Sequence, residues 1–104
     1  MMLDQLMREI DAFAVERDWE RFHTPKNLAM SVAIEAGELL EVFQWLTPEE
    51  SAALADEVSG RSQVVGEIAD VLIYLLRLCS VLGVDPLVAA GAKLEANRSR
   101  EWPR

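Results

Sequence analysis

Two short acidic patterns constrain this chain more than anything else in it. The first holds Glu35 and Glu38 in the run Glu-Ala-Gly-Glu-Leu-Leu-Glu; the second holds Glu67 and Asp70 in Glu-Ile-Ala-Asp. In each, two carboxylates stand three residues apart inside an otherwise apolar stretch. On a helix, such positions share a face, one turn apart. Acids are rarely buried unless they are paired or bind a metal. Bases are scarce here: Leu28 to Leu46 contains no Lys or Arg, and Val64 to Gly83 contains only Arg77. Two helices packed side by side would aim four carboxylates at one place. Two like charges about 4 Å apart repel by roughly 4 kcal/mol at an effective dielectric of 20, so a cation is expected among them. Oxygen-only ligands suit Mg²⁺ first and Mn²⁺ second. A solvated helix face would account for one lone acid pair. Two pairs, both set in apolar runs, favour the metal site.

Apolar periodicity predicts an all-α chain. Leu3, Leu6, Met7, Ile10, Phe13 and Ala14 mark an amphipathic first helix from Leu3 to Glu16. Thr24 and Pro25 open a second, expected to run to about Leu46. One face of it carries Ser31, Glu35, Glu38, Val42 and Trp45; the other offers Leu28, Val32, Leu39, Leu40 and Phe43 for packing. Thr47 with Glu50 forms a capping-box pattern and starts a short helix from Pro48 to about Asp56. Glu57 to Ser62, with Ser59-Gly60, reads as a loop.

The next helix, about Arg61 to Leu82, is apolar almost all round. Only Glu67, Asp70, Tyr74 and Arg77 interrupt it, and their spacing puts them on one stripe. Such a helix wants burial on every side. A monomer of 104 residues can hardly supply that, so a homo-oligomer is expected. Gly83 ends the helix, and Asp85-Pro86 begins the last, which continues to about Asn97. The tail, Arg98 to Arg104, is basic, carries Trp102 and reads as a solvated end. The expected architecture is one domain, residues 1–104, with four main helices and a short one in a four-helix-bundle-like arrangement.

Composition narrows the chemistry. The net charge of −8 argues against a nucleic-acid polymer as partner, because phosphate backbones need a basic surface. Acidic residues among the first seventeen argue against a signal peptide, and the longest clean apolar run, Val71 to Leu76, is too short to span a membrane. The single cysteine, Cys79, reads as a small buried hydrophobe and fits a reducing cytoplasm. A di-iron bundle would need Glu-x-x-His pairs, and the one histidine, His23, lies outside both acid pairs. Neither a Ser-His-Asp set nor a Gly-rich phosphate loop can be assembled. What remains is a carboxylate-held Mg²⁺, whose open positions take water and substrate phosphates. Trp19, Phe22, Trp45 and Tyr74 could stack a nucleobase.

Three segments carry a resemblance: Glu-Arg-Asp-Trp-Glu-Arg-Phe-His-Thr-Pro-Lys-Asn-Leu, Glu-Ala-Gly-Glu-Leu-Leu-Glu-Val-Phe-Gln-Trp, and Glu-Ile-Ala-Asp-Val-Leu-Ile-Tyr-Leu-Leu. Together they resemble the MazG-like nucleotide pyrophosphohydrolases of the all-α NTP pyrophosphatase superfamily, and within them the dCTP pyrophosphatase type. The resemblance runs from Leu3 to about Arg100. It implies a tetramer and Mg²⁺-dependent hydrolysis of a (d)NTP between the α- and β-phosphates, giving a (d)NMP and pyrophosphate in nucleotide-pool house-cleaning. It implies Glu35, Glu38, Glu67 and Asp70 as the catalytic and metal-holding acids. It implies substrate contacts at Trp19, Phe22, His23, Trp45 and Tyr74, and at Lys93 and Asn97 in a Lys-x-x-x-Asn pattern, with Arg98 and Arg100 as weaker candidates. Two positions depart from the family pattern: Gly66 stands where an acid is common, and Ile10 where the first helix often lends a polar group. The alternative is a non-catalytic helical oligomerisation or regulatory module that keeps the fold.

Overall fold

The computed structural model describes residues 1–100; the expectation for the tail from residue 101 onward lies outside them. Five α-helices follow in order: α1 Leu3–Glu16, α2 Pro25–Phe43, α3 Pro48–Leu54, α4 Val58–Leu82 and α5 Pro86–Arg98, with a 3-10 turn at Glu20–Phe22 between α1 and α2. No strand occurs among the described residues.

Local chemistry accounts for most of the boundaries. Thr24 accepts a hydrogen bond from the Asn27 amide at 3.2 Å, with Pro25 at the first helical position. Thr47 and Glu50 complete the expected capping box, at 2.9 and 3.1 Å. Asp85 caps α5 through the amides of Leu87 and Val88. Gly83 ends α4 in the left-handed region, φ 69°, where a residue without Cβ is unstrained. The Val84 amide then reaches back to the Cys79 carbonyl, as a Schellman cap requires. α1 ends the same way, but with Asp18 at φ 57°. The Trp19 amide bonds the Ala14 carbonyl, which folds Trp19 back onto Phe13, edge to face at 5.3 Å.

Two boundaries differ from expectation. α2 stops at Phe43, three residues short of Leu46. The segment expected as a loop, Glu57 to Ser62, is instead the first turn of α4. Ser59-Gly60 suggested a turn, but Gly60 is buried inside the helix for a tertiary reason. A Cβ there would lie 2.4 Å from the Leu54 carbonyl oxygen, so the glycine lets α3 and α4 touch.

The pairing of the two acid-bearing helices dominates the fold: α2 packs along α4, and α1 lies against α4. α5 leaves α4 at 99° and has only marginal contact with the rest of the described chain. Within one chain, the four long helices therefore do not close into a bundle. Among the described residues the buried apolar core is small: Ala14, Leu28 and Leu76. Leu40, expected to pack, is 64% exposed, and Cys79 is half-buried. Val65, Ile68, Leu72, Ile73 and Leu75 are exposed along α4, as are Met30 and Ile34 on α2 and Leu87, Val88 and Leu94 on α5. The radius of gyration is 16.4 Å, against about 13 Å for a compact domain of this length. The accessible surface is 7986 Å², against about 5,900 Å² for a globular monomer of this mass. Among the described residues, no single helix is long and apolar enough to cross a membrane.

Candidate metal centre

Helix periodicity places Glu35 and Glu38 on the face that α2 turns toward α4, and α4 answers with Glu67. Ligand-capable oxygens of these three all lie within 4.8 Å of one another. One oxygen of Glu35 and one of Glu67, Oε2 in each, is closed to solvent and has no hydrogen-bond partner. Orphaned buried carboxylate oxygens are costly unless something positive meets them. Burial first, then the neighbouring Glu38, then the charges of Asp70 and Glu67, raise Glu35 above its ordinary value. Burial first, then the charges of Glu38, Asp70 and Glu41, raise Glu67. The donor set is hard oxygen, crowded and short of protons' worth of positive charge. These residues fit a hard divalent cation. Asp70 contributes its field to both raised acids, although the tight trio does not include it.

On one side of the trio lies an open polar cleft of about 420 Å³ between Glu38, Glu41, Gln44, Gln63 and Glu67. Elsewhere along α4, Asp70 opens onto a cavity of about 210 Å³, walled by Ile10, Phe13, Trp19, Ile73 and Tyr74, with His23 and Arg77. A neighbouring groove of about 370 Å³ joins Trp19, Phe22, His23 and Tyr74 to Asn27, Met30, Ser31 and Ile34 of α2. The 3-10 turn that carries Phe22 is tied to α2 by the Asn27 side chain, which donates to the Phe22 carbonyl at 3.0 Å.

The chain thus brings together Glu35, Glu38, Glu67 and, around the adjoining cavities, Asp70, Trp19, Phe22, His23 and Tyr74. Trp45 is 86% exposed. Lys93 is exposed and Asn97 half-buried on α5, the helix that turns away. Two residues outside the expected contacts join this region: Arg77, on the stripe of Glu67, Asp70 and Tyr74, and Asp11 of α1. Arg77 is 9% exposed, and donates to His23 Nδ1 at 3.0 Å and to Asp11 Oδ1 at 2.9 Å. The available signal was that Arg77 is the lone base of its apolar run. Burial, then the Arg77 charge, hold His23 below its ordinary pKa.

Paired helices that gather carboxylates at one point, beside aromatic cavities, define an all-α protein with a candidate divalent-cation centre. Comparison narrows the class. Residues 30–102 match the MazG-like family, and the chain belongs to that family. It is 41% identical to dCTP pyrophosphatase 1 of Rattus norvegicus over 98 residues, covering 94% of this chain and 58% of that protein. Over a shorter span of 38 residues it is 55% identical to the dATP/dGTP diphosphohydrolase of Cyanophage S-2L, covering 36% of each. Among solved structures, a pyrophosphatase from Archaeoglobus fulgidus superposes with a TM-score of 0.87 at 42% identity, covering 98% of this chain and 93% of that one. The chain spans somewhat over half the length of the curated dCTP pyrophosphatases it matches.

Proposed function

We propose that the chain is a Mg²⁺-dependent (d)NTP pyrophosphohydrolase. It cleaves between the α- and β-phosphates, gives a (d)NMP and pyrophosphate, and prefers dCTP or a related pyrimidine nucleotide. The observation that carries this reading is the Glu35–Glu38–Glu67 trio with its two orphaned buried oxygens, in a chain similar to proteins named for this chemistry. Glu35, Glu38, Glu67 and Asp70 would hold the cation. When bound, it would neutralise the crowded acids, bind phosphate oxygens and lower the pKa of a coordinated water. A carboxylate of the cluster left uncoordinated would orient the attacking water or accept its proton. Trp19, braced by Phe13, and Tyr74 face the cavity where a base would stack.

The same reading includes a homotetramer. The surface in excess of a globular monomer is about 2,000 Å² per chain. A standard interface takes about 800 Å² per partner, so the excess matches one large interface or two standard ones, and a tetramer uses two. Association would cover the apolar residues of α4 and α5, and it would let Lys93 and Asn97 reach the phosphate end of a neighbouring subunit's site, where Trp45 would also be closed in.

Pyrophosphate release from a panel of dNTPs, with and without Mg²⁺, tests the activity. Equimolar pyrophosphate and nucleoside monophosphate, abolished by chelation, is the expected result. No turnover of any nucleotide with Mg²⁺ or Mn²⁺ would refute it and leave the non-catalytic helical module.

A further inference from the structure

The 210 Å³ cavity between α1, the 3-10 turn and α4 is mostly apolar, and few groups in it can direct a ligand. Arg77 is one of them. Its charge is compensated by Asp11 on α1, 66 positions earlier, at 2.9 Å. A buried guanidinium needs that partner. Its Nε–H is spent on a different group, Nδ1 of His23, at 3.0 Å.

This second contact carries chemical information. A guanidinium donates hydrogen bonds and cannot accept them. Nδ1 of His23 must therefore be the bare nitrogen, and the neutral ring carries its proton on Nε2. An imidazolium would set an N–H against an N–H there. His23 borders both the small cavity and the adjoining groove. With Nδ1 occupied, the polar edge left to them is Nε2–H, a donor.

We propose that Arg77, braced by Asp11, is a positioning residue that locks His23 as an Nε2–H donor, so that this cavity selects a ligand presenting a hydrogen-bond acceptor, such as a carbonyl oxygen of a nucleobase. The ligand part rests on the reading of the cavity as the base end of a nucleotide site. The tautomer part does not. A site whose buried donor is left without an acceptor binds weakly, so ligands lacking that acceptor are rejected.

His23 is the only histidine, so long-range ¹H–¹⁵N correlation of its ring reads the tautomer without assignment. At neutral pH, the unliganded wild type should show one species, protonated at Nε2 and bare at Nδ1. Arg77→Met should show a mixture of tautomers. By calorimetry, it should bind a non-hydrolysable α,β-imido analogue of dCTP at least about tenfold more weakly. If Arg77→Met does not fold, Asp11→Asn, which loosens the same brace from a half-exposed position, should move both readouts in the same direction. A wild-type ring protonated at Nδ1, or an even mixture, overturns the proposal. So does a folded Arg77→Met with unchanged affinity. A locked ring in a protein that turns over no nucleotide would instead sink the proposed function and leave the Arg77–His23 lock standing.

Discussion

Gly60→Ala is a sharp test of how this chain is packed. In the interior of an ordinary helix the change stabilises by about 0.5–1 kcal/mol, because alanine has the better helix propensity. At Gly60 the new Cβ would fall 2.4 Å from the Leu54 carbonyl oxygen and 2.7 Å from Leu54 Cδ1. Neither approach is tolerable, so α3 or α4 must move. The Leu54 carbonyl also accepts the Glu57 amide at 3.2 Å, a turn bond worth about 1 kcal/mol. Overpacking costs about 1–3 kcal/mol. Set against the propensity gain, the net loss is about 1–3 kcal/mol, or a fall in melting temperature of roughly 4–8 °C per kcal/mol. Gly91→Ala is the matched control: it lies in the middle of α5 with nothing within 4 Å of its Cβ position, and it should stabilise. Urea titration by circular dichroism, repeated at several protein concentrations because association contributes to stability, gives both values. If Gly60→Ala were as stable as the wild type, the close approach of α3 to α4 would not exist.

Four further outcomes are expected. Glu38→Gln and Asp70→Asn should each lower Mg²⁺-dependent pyrophosphate release by more than about 100-fold, since even outer-sphere changes at metal sites cost 10–100-fold, with the helical circular dichroism unchanged; near-normal turnover in both would displace the site. The metal-free protein should gain stability as pH falls from neutrality toward the ordinary carboxylate range, because the raised Glu35 and Glu67 hold more protons folded than unfolded there; His23, lowered when folded, works in the opposite direction below its ordinary value of 6.5, and saturating Mg²⁺ should remove the carboxylate gain, so that urea midpoints at several pH values with and without Mg²⁺ read both. Light scattering at micromolar concentration should show a tetramer, and Lys93→Ala should weaken triphosphate more than monophosphate binding by calorimetry; a stable monomer, or equal losses, would contradict the arrangement.

Much of this protein is written in short-range signals. The all-α class, the caps at Thr24, Thr47, Gly83 and Asp85, and the shared helix face of the two acids within each pair follow from neighbours within a turn or two, where backbone chemistry dominates. The aromatic segment and the acid pairs were legible for the same reason: their spacing is local. What tertiary structure decided are contacts between residues far apart in the chain. Gly60, turn-like in isolation, stands inside α4 because a Cβ there would strike Leu54 of α3, a contact between helices that the spacing along the chain does not announce. Arg77 reads in sequence as one base in an apolar run, and it is a bridge only because α1 and the 3-10 turn deliver Asp11 and His23 to it, 66 and 54 positions away. α5 is a different case: the left-handed Gly83 and the Asp85 cap turn the chain through 99° between α4 and α5, which is a local cause, but α5 then meets few partners in its own chain, so what surrounds Lys93 and Asn97 is decided by packing that those caps do not specify.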